Sequence, residues 1–301
     1  MGAGRRVDFN VEQIQKLVLA GPASVADRNL MSPFAWLGPD GIFHLMVRAV
    51  PSPGQAGDTG TIWHATSRDG VSFVADTKPS IVPGPGFEDI GGCEDPTVVE
   101  RQDGSYVVYY TGVDGTRSHG EMLYAVGPSM NRLEKRGIAM ASSPSEGNIK
   151  EATADRTKAG RWRMFYEYAL AARRSWGLPS ATATQGPGIT RDNPSGRGSE
   201  LWDRWHLSTG PMLTFDKDMP VMFYNGATED ARWRIGWIAF DAEYTQVVDR
   251  CIEPLISPPP MRSRMATDIA FAASVVVHGN VLWLYYSRAD SSLYRARLRR
   301  S

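Results

Sequence analysis

Apolar residues in this chain come in short runs separated by turn-forming residues. Val, Ile, Tyr, Phe and Trp dominate the runs, and Gly, Pro, Asp and Asn stand between them. Such runs are typical of β-strands, and the 30 glycines and 20 prolines supply the turns that join them. The pattern therefore predicts an all-β protein. The exception is an N-terminal extension of about residues 1–25, in which the pattern over residues 11–20 allows a short amphipathic helix.

Five of the apolar runs form a repeat, in which bulky apolar residues precede one distinctive position. The runs are Leu45-Met46-Val47-Arg48, Val108-Tyr109-Tyr110-Thr111, Met164-Phe165-Tyr166-Glu167, Met222-Phe223-Tyr224-Asn225 and Leu284-Tyr285-Tyr286-Ser287. Their spacing is roughly 60 residues, slightly longer than that of the common propeller repeats. Further strands are predicted at residues 61–66, 122–126, 234–240 and 293–298. The repeat predicts a five-bladed β-propeller of about four strands per blade, in one domain spanning residues 1–301.

The position that closes each run is the same structural place in every predicted blade. The five positions are Arg48, Thr111, Glu167, Asn225 and Ser287. In a propeller such positions can converge on the central axis. A jelly roll or a sandwich is the competing architecture, and neither predicts so even a period.

Charge and composition narrow the function. The 33 basic and 33 acidic residues balance, which argues against nucleic acid or an anionic membrane as a partner. No apolar stretch approaches the ~20 residues of a membrane span, and no secretory pattern opens the chain. Two cysteines, Cys93 and Cys251, suit a reducing compartment, so a cytoplasmic location is expected. His119 and His206 lack close ligating partners, and neither a metal nor a cofactor is predicted.

The segment Gly91-Gly92-Cys93-Glu94-Asp95-Pro96 is the most informative in the chain. Two adjacent carboxylates stand before a proline, which restricts Asp95 to extended conformations. A carboxyl group fixed at the entrance of a strand can serve as a general acid if its surroundings raise its pKa. A turn capped by Asp95 is the alternative interpretation.

Several motifs, taken in order, resemble glycoside hydrolase family 130, the β-mannoside phosphorylases and their hydrolytic relatives. The resemblance covers most of the chain beyond Arg28. Its motifs are Arg28-Asn29 for an Asn-Pro region, with the proline missing, Val47-Arg48-Ala49-Val50 for Tyr-Arg-Ala-Val, Ser67-Arg68-Asp69-Gly70 for Ser-x-Asp-Gly, Gly92-Cys93-Glu94-Asp95-Pro96 for Gly-Val-Glu-Asp-Pro, Tyr224-Asn225-Gly226 for Tyr-His-Gly, and the stretch 268–274 followed by Tyr285-Tyr286 for the last blade. Each motif is weak alone, and their order gives the specificity.

The resemblance implies that a sugar binds in an axial cavity and that Asp95 is the proton donor, acting through a sugar hydroxyl. It makes Asn29, Arg48 and Asp268 candidates for binding the sugar. The predicted substrate contacts also include Glu94, Trp205, His206 and Asn225, with Trp205 offering a ring face for a pyranose.

Departures from the family pattern favour water over phosphate as the attacking group. Phosphorylases of the family tend to carry His-Arg where this chain has Tyr166-Glu167, and Asn225 replaces a His. A carboxylate at position 167 repels a phosphate dianion but can activate water. Glu167 is therefore the predicted base, and Glu229 is a second candidate whose alternative is a solvated turn.

These residues predict an inverting glycosidase that acts on β-mannosides of an oligosaccharide. A phosphorylase that releases mannose 1-phosphate is the first alternative, and a non-catalytic sugar-binding propeller is the second. The polar segment 171–200 is expected to be either a lid over the site or a disordered insertion. The sequence leaves open whether the protein forms a homo-oligomer.

Overall fold

The computed structural model describes residues 7–52, 57–143, 147–170, 175–178, 189–190, 202–228, 230–259 and 268–301. Over these residues the chain forms 22 strands and one four-residue helix, α1 (Ala23–Ala26). The predicted all-β class is confirmed, and the sheets have a propeller-like arrangement. None of the described helical residues forms a segment long and apolar enough to span a bilayer.

The strands follow one another in chain order. They are β1 (Phe9–Lys16), β2 (Val18–Ala20), β3 (Asn29–Leu37), β4 (Phe43–Val50), β5 (Thr61–Ser67), β6 (Ser72–Ala75), β7 (Gly92–Glu100), β8 (Tyr106–Val113), β9 (Gly120–Gly127), β10 (Glu134–Met140), β11 (Gly147–Arg156), β12 (Trp162–Leu170), β13 (Ser175–Leu178), β14 (Ile189–Thr190), β15 (His206–Ser208), β16 (Met212–Leu213), β17 (Val221–Ala227), β18 (Trp233–Phe240), β19 (Val247–Arg250), β20 (Ala270–His278), β21 (Val281–Arg288) and β22 (Ser292–Arg300).

Consecutive strands pair into five sheets within the described residues. Their orders are β2-β6-β5-β4-β3, β10-β9-β8-β7, β11-β12-β13-β14, β15-β17-β18-β19 with β16 also on β17, and β1-β22-β21-β20. Almost all pairings are antiparallel, and β2 alone in this set joins its neighbour, β6, in parallel. The sheets are therefore local meanders that need few long-range strand pairings.

The five sequence runs that defined the repeat all lie on the second strand of a sheet. These strands are β4, β8, β12, β17 and β21. Most of their apolar residues are buried as predicted: Leu45, Val108, Phe223 and Leu284 have no measurable exposure. The predicted following strands at residues 61–66, 122–126, 234–240 and 293–298 are confirmed in β5, β9, β18 and β22.

The N-terminal segment is not helical, and the helix predicted over residues 11–20 is wrong. β1 pairs antiparallel with β22, with Phe9 opposite Arg300, and thereby completes the last sheet. Phe9 is buried and its ring packs edge-on against Phe223 and Trp237. A helix would leave the β22 edge without a partner, so the pairing overrides the local amphipathic pattern. Residues 9–16 are thus part of the last sheet, and residues 18–20 are part of the first, where β2 pairs with β6.

Candidate active site

The first strands of several sheets are interrupted by a bulge at the same level. Strand register shifts between Met31 and Phe34, between Glu94 and Thr97, and between Lys150 and Thr153. The bulged residues Ser32, Asp95 and Glu151 have φ of 52°, 51° and 52°. Positive φ is uncommon for residues other than glycine, and a bulge redirects side chains out of the regular alternation.

Asp95 does not have the extended backbone that its place before Pro96 predicted. The bulge accounts for the difference, because it turns the residue into the left-handed region. The side chain of Asp95 is 7% exposed. Its Oδ1 accepts a 2.5 Å hydrogen bond from Ser32 Oγ and lies 3.4 Å from Arg48 Nη1. Asp95 therefore receives contacts from the neighbouring bulge at Ser32 and from strand β4.

The net pKa of the Asp95 carboxyl is lowered. Burial acts to raise this pKa, but the Arg48 guanidinium, the Ser32 hydroxyl and a hydrogen bond with Glu151 act in the opposite direction and outweigh it. These contacts stabilise the ionised form of Asp95.

Glu94 is held between two cations from the sheets on either side. Its Oε1 lies 2.5 Å from Arg48 Nη2, and its Oε2 lies 3.5 Å from Lys150 Nζ. Arg48 also donates hydrogen bonds from Nε and Nη2 to the carbonyl of Thr59. Glu94 is 6% exposed. This arrangement fixes Arg48 beside Asp95 and gives Glu94 an ion-pairing role.

Glu151 is a carboxyl group of the site that the sequence did not indicate. It occupies on β11 the bulge position that Asp95 occupies on β7. Its pKa is raised well above the usual value by burial, by the charges of Asp95 and Glu167 and by the hydrogen bond with Asp95. The segment Asn148-Ile149-Lys150-Glu151-Ala152 lacks the proline and the glycines that mark the Asp95 motif, so only an alignment of first strands would have found it.

Glu167, the predicted base, lies on β12 with 6% exposure. Its Oε1 is 3.3 Å from Nε2 of His206, and its charge contributes to the raised pKa of Glu151. The His206 ring lies between Trp233, at a centroid distance of 4.5 Å, and Trp205, at 5.1 Å. The structure thus brings Glu167, His206 and Trp205 together beside the Asp95 and Glu151 pair.

Asp290 is a second carboxyl group that sequence reasoning missed. It lies in the turn between β21 and β22, and burial together with the negative charge of Asp95 raises its pKa to about 6, although Arg48 acts in the opposite direction. In the sequence, Ala289-Asp290-Ser291 looks like an ordinary hairpin turn, so nothing there predicts that Asp290 lies near the site.

Asp268 and Asn29 are the remaining predicted sugar contacts that the structure describes. Asp268 is 6% exposed and forms an ion pair with Arg232, whose Nε lies 3.1 Å from Asp268 Oδ2. Asn29 opens β3, three residues before the Ser32 bulge, and is partly buried. Glu229, the second candidate base, lies outside the described residues.

Asn225 is fully buried and its amide is already bonded to the backbone. Nδ2 donates to the carbonyls of Thr209 and Ala272 at 2.6 and 3.1 Å, and Oδ1 accepts from the Ala272 amide at 2.7 Å. These bonds join the first strand of the last sheet to the segment between β15 and β16. They favour a structural role for Asn225 over the predicted contact with substrate.

The comparisons with known proteins identify the fold. No family model matches the chain, and no curated protein matches it by sequence. A β-1,2-mannobiose phosphorylase from Listeria innocua, solved with β-1,2-mannobiose, superposes with a TM-score of 0.72 at 17% identity, over 95% of this chain and 90% of that chain. The chain has the fold of glycoside hydrolase family 130.

Two further solved structures have the same fold. One comes from work on family 130 mannoside phosphorylases, a family described as containing glycoside hydrolases that target β-1,2 mannosidic linkages in Candida mannan. It matches with a TM-score of 0.71 and 20% identity, over 99% of this chain and 95% of that chain. The other is a mannose phosphorylase from Leishmania mexicana in complex with phosphate, with a TM-score of 0.62 and 14% identity, over 94% of this chain and 87% of that chain. Both hydrolytic and phosphorolytic proteins therefore share the architecture of this chain.

Proposed function

We propose that this protein is a member of glycoside hydrolase family 130 and an inverting glycosidase that cleaves β-mannosides with water. The observation that carries the proposal is the group of carboxyls around Asp95, which includes Glu167 on the next sheet. The family resemblance implies that phosphorylases tend to carry a cation at the position of Glu167. The fold shared with mannoside-processing proteins supports the substrate class.

We further propose that the five sheets are five blades of one propeller and that the chain is a single domain. Contacts between neighbouring sheets support this, because they run in a closed order: β3 with β7, β7 with β11, β12 with β15, β17 with β20, and β20 with β3. A cavity of about 300 Å³ also supports it, since its lining comes from the first strands or adjoining segments of all five sheets. Phe34, Val98, Asp155, Met212 and Val275 represent the five contributions.

In this proposal Asp95 is the general acid: it protonates the leaving oxygen through a hydroxyl of the bound sugar. Glu167 is the general base and takes a proton from the attacking water. Arg48, Asn29 and Asp268 bind the sugar. His206 keeps the Glu167 carboxylate oriented, because the two side chains lie within 3.3 Å. General acid and base catalysis of this kind contributes about 10²–10⁴-fold each.

The charges around the site argue against a phosphate ion as the attacking group. Asp95, Glu94, Glu151, Glu167 and Asp290 place carboxyl groups there, while Arg48 and Lys150 are already paired with Glu94. A phosphate dianion needs charge-assisted hydrogen bonds from cations that are not committed elsewhere. Two further cationic residues that the sequence offers for such a site, Arg173 and Arg174, lie outside the described residues.

The decisive experiment is product analysis with manno-oligosaccharides, in the presence and absence of inorganic phosphate. We expect free mannose of inverted anomeric configuration, released at a rate indifferent to phosphate, as followed by mass spectrometry and anomeric NMR. Asp95→Asn should lower the rate by about 10²–10⁴-fold without loss of fold, while Asp103→Asn, in an exposed turn, should leave it unchanged.

Three outcomes contradict the proposal in different ways. Mannose 1-phosphate formed only with phosphate present would identify a phosphorylase. Sugar binding without turnover, equally strong in Asp95→Asn, would identify a non-catalytic sugar-binding protein. Near-normal turnover by Asp95→Asn would remove Asp95 from the role of proton donor.

A further inference from the structure

The surroundings of Asp95 present a chemical problem for a proton donor. A general acid must hold a proton before it can donate one, yet Arg48 and Ser32 both stabilise the ionised form of Asp95. A neighbouring group that resists ionisation solves this problem if it holds a proton within reach of Asp95.

Glu151 is placed to store that proton. Asp95 and Glu151 lie on the first strands of neighbouring sheets, each at a bulge with left-handed backbone, and the residues just before them, Glu94 and Lys150, form a 3.5 Å ion pair across the same two strands. Asp95 contributes to the raised pKa of Glu151 both through its charge and through a hydrogen bond. Ionised carboxylates only accept hydrogen bonds, so one member of a hydrogen-bonded carboxyl pair must be protonated. Two ionised carboxylates so placed also repel each other, so one proton shared by the pair is the favoured state.

We propose that Asp95 and Glu151 form a proton-sharing dyad, in which Glu151 holds the proton at rest and returns it to Asp95 during cleavage of the glycosidic bond. This inference rests on the proposed function for its catalytic part, whereas the sharing of the proton does not depend on it. Glu151 acts through Asp95 and is a positioning residue rather than one that contacts the substrate.

The charged groups around the dyad explain why the proton rests on Glu151. Arg48 from β4 and the hydroxyl of Ser32 from β3 contact Asp95, so the negative charge is favoured there. The negative charge of Glu167 on β12 disfavours a second charge on Glu151, and Lys150 on β11 offsets this only partly because it is paired with Glu94. Asp290, in the turn after β21, adds negative charge near Asp95.

The catalytic step balances with one proton from the dyad. The proton moves from Glu151 to Asp95, from Asp95 to the sugar hydroxyl, and from that hydroxyl to the glycosidic oxygen as its bond to the anomeric carbon breaks. Water attacks the anomeric carbon from the opposite face and gives a proton to Glu167. The dyad is left with two negative charges and regains its proton from Glu167 through solvent.

The first test measures the proton without using activity. Carbon-13 NMR of protein labelled at the glutamate and aspartate carboxyl carbons should show one protonated glutamate at neutral pH that is lost in Glu151→Gln. The signal assigned to Asp155, also a half-buried carboxyl with a raised pKa on β11, serves as an internal reference and should persist in that variant. Finding Glu151 ionised at neutral pH in the unsubstituted protein would overturn the proposal, whatever the enzyme does.

The second test is the pH dependence of cleavage. Glu151→Gln keeps a hydrogen-bond donor to Asp95 but stores no proton, so the rate at neutral pH should fall by about 10²–10⁴-fold and recover as pH falls toward the lowered pKa of Asp95. Glu151→Asp should retain more activity than Glu151→Gln. The matched control Asp155→Asn should leave the position of the pH profile unchanged.

A Glu151→Gln profile that is lower but unshifted would assign Glu151 a structural role and overturn the catalytic part of the proposal. The dyad and the proposed function can fail separately. A protonated Glu151 in a protein that cleaves no mannoside would leave the dyad standing and refute the function, whereas an ionised Glu151 in an active mannosidase would do the reverse.

Discussion

At the scale of single residues, the site depends on three side chains held in an uncommon backbone conformation. Ser32, Asp95 and Glu151 all adopt positive φ, which costs of order 1–3 kcal/mol for a residue other than glycine. The surrounding sheets support this cost, because regular pairing encloses the bulges at Ser32 and Asp95 on both sides and follows the bulge at Glu151 from Thr153 onward. The repeated conformation directs three polar groups toward one place, which regular strand alternation would not do.

Arg48 and Glu167 were predictable from the sequence because each ends a recognisable apolar run, and Asp95 was predictable because it stands in a motif of two carboxylates before a proline. Glu151 and Asp290 were not, since their neighbours in the chain carry no motif. For Asn225 the sequence predicted the place in the repeat but not the role. Its hydrogen bonds to Thr209 and Ala272 depend on segments that only the folded sheets bring together.

Asn225→Ala should lower stability rather than substrate affinity. The substitution leaves buried backbone groups of Thr209 and Ala272 without the amide that satisfies them, which costs about 1–3 kcal/mol for each unsatisfied group. Urea denaturation should show a lower midpoint at an unchanged slope. The matched control is Asn131→Ala, whose amide accepts a bond from Ser129 in an exposed turn and whose loss should cost little. A variant that folds normally but binds mannoside weakly would restore Asn225 to the list of substrate contacts.

At the scale of elements, the second strands were predictable and the first strands were not. The second strand β17 is buried along its whole length, and β4 is fully buried on one face and mostly half-buried on the other. Both contain a long apolar run, as buried strands do. First strands such as β7 and β11 carry polar residues at their bulges, and these break any simple alternation. The elements closest to the chemistry are therefore those whose pattern is least regular.

Two sheets each contain a cluster of a tyrosine, an aspartate and a cation, here called the clasp. It ties the loop before the first strand to the rest of the sheet. Tyr110 donates a 2.9 Å hydrogen bond to Asp89, which also pairs with Lys135. In the second clasp Tyr224 donates a 2.6 Å hydrogen bond to Asp203, which pairs with Arg250. In both clasps the tyrosine follows its aspartate by 21 residues in the sequence. The first clasp anchors the loop that leads directly into the Asp95 segment.

Tyr110→Phe should destabilise the protein by about 1–3 kcal/mol, because the buried Asp89 carboxylate loses one partner. We also expect a fall in mannoside cleavage, since the loop before Asp95 is held less firmly. Tyr109→Phe is the matched control, as the neighbouring ring is only partly buried and takes no part in the clasp. Equal effects of the two substitutions on denaturation and turnover would show that the clasp does not position the loop.

At the scale of the whole molecule, the last sheet is assembled from both ends of the described chain. β1 is the outer partner of β22, so strands about 290 residues apart in sequence complete one sheet. Phe9 on β1 also contacts Phe223 and Trp237 of the preceding sheet, at centroid distances of 4.9 and 5.9 Å. The first strand thus contributes both to the pairing within one sheet and to the packing between two.

Phe9→Ala tests whether this closure stabilises all the sheets together. Truncating a buried phenylalanine costs about 3–5 kcal/mol, and the loss here falls on the seam between two sheets. If the five sheets form one domain, the whole denaturation curve should move to lower urea as a single transition, with tryptophan fluorescence and far-ultraviolet circular dichroism coinciding. Phe87→Ala, at a side chain that is 65% exposed, should shift the curve by no more than about 0.5 kcal/mol. Two separated transitions in the Phe9 variant, with only the last sheet melting early, would show that the sheets fold independently and would contradict the single-domain proposal.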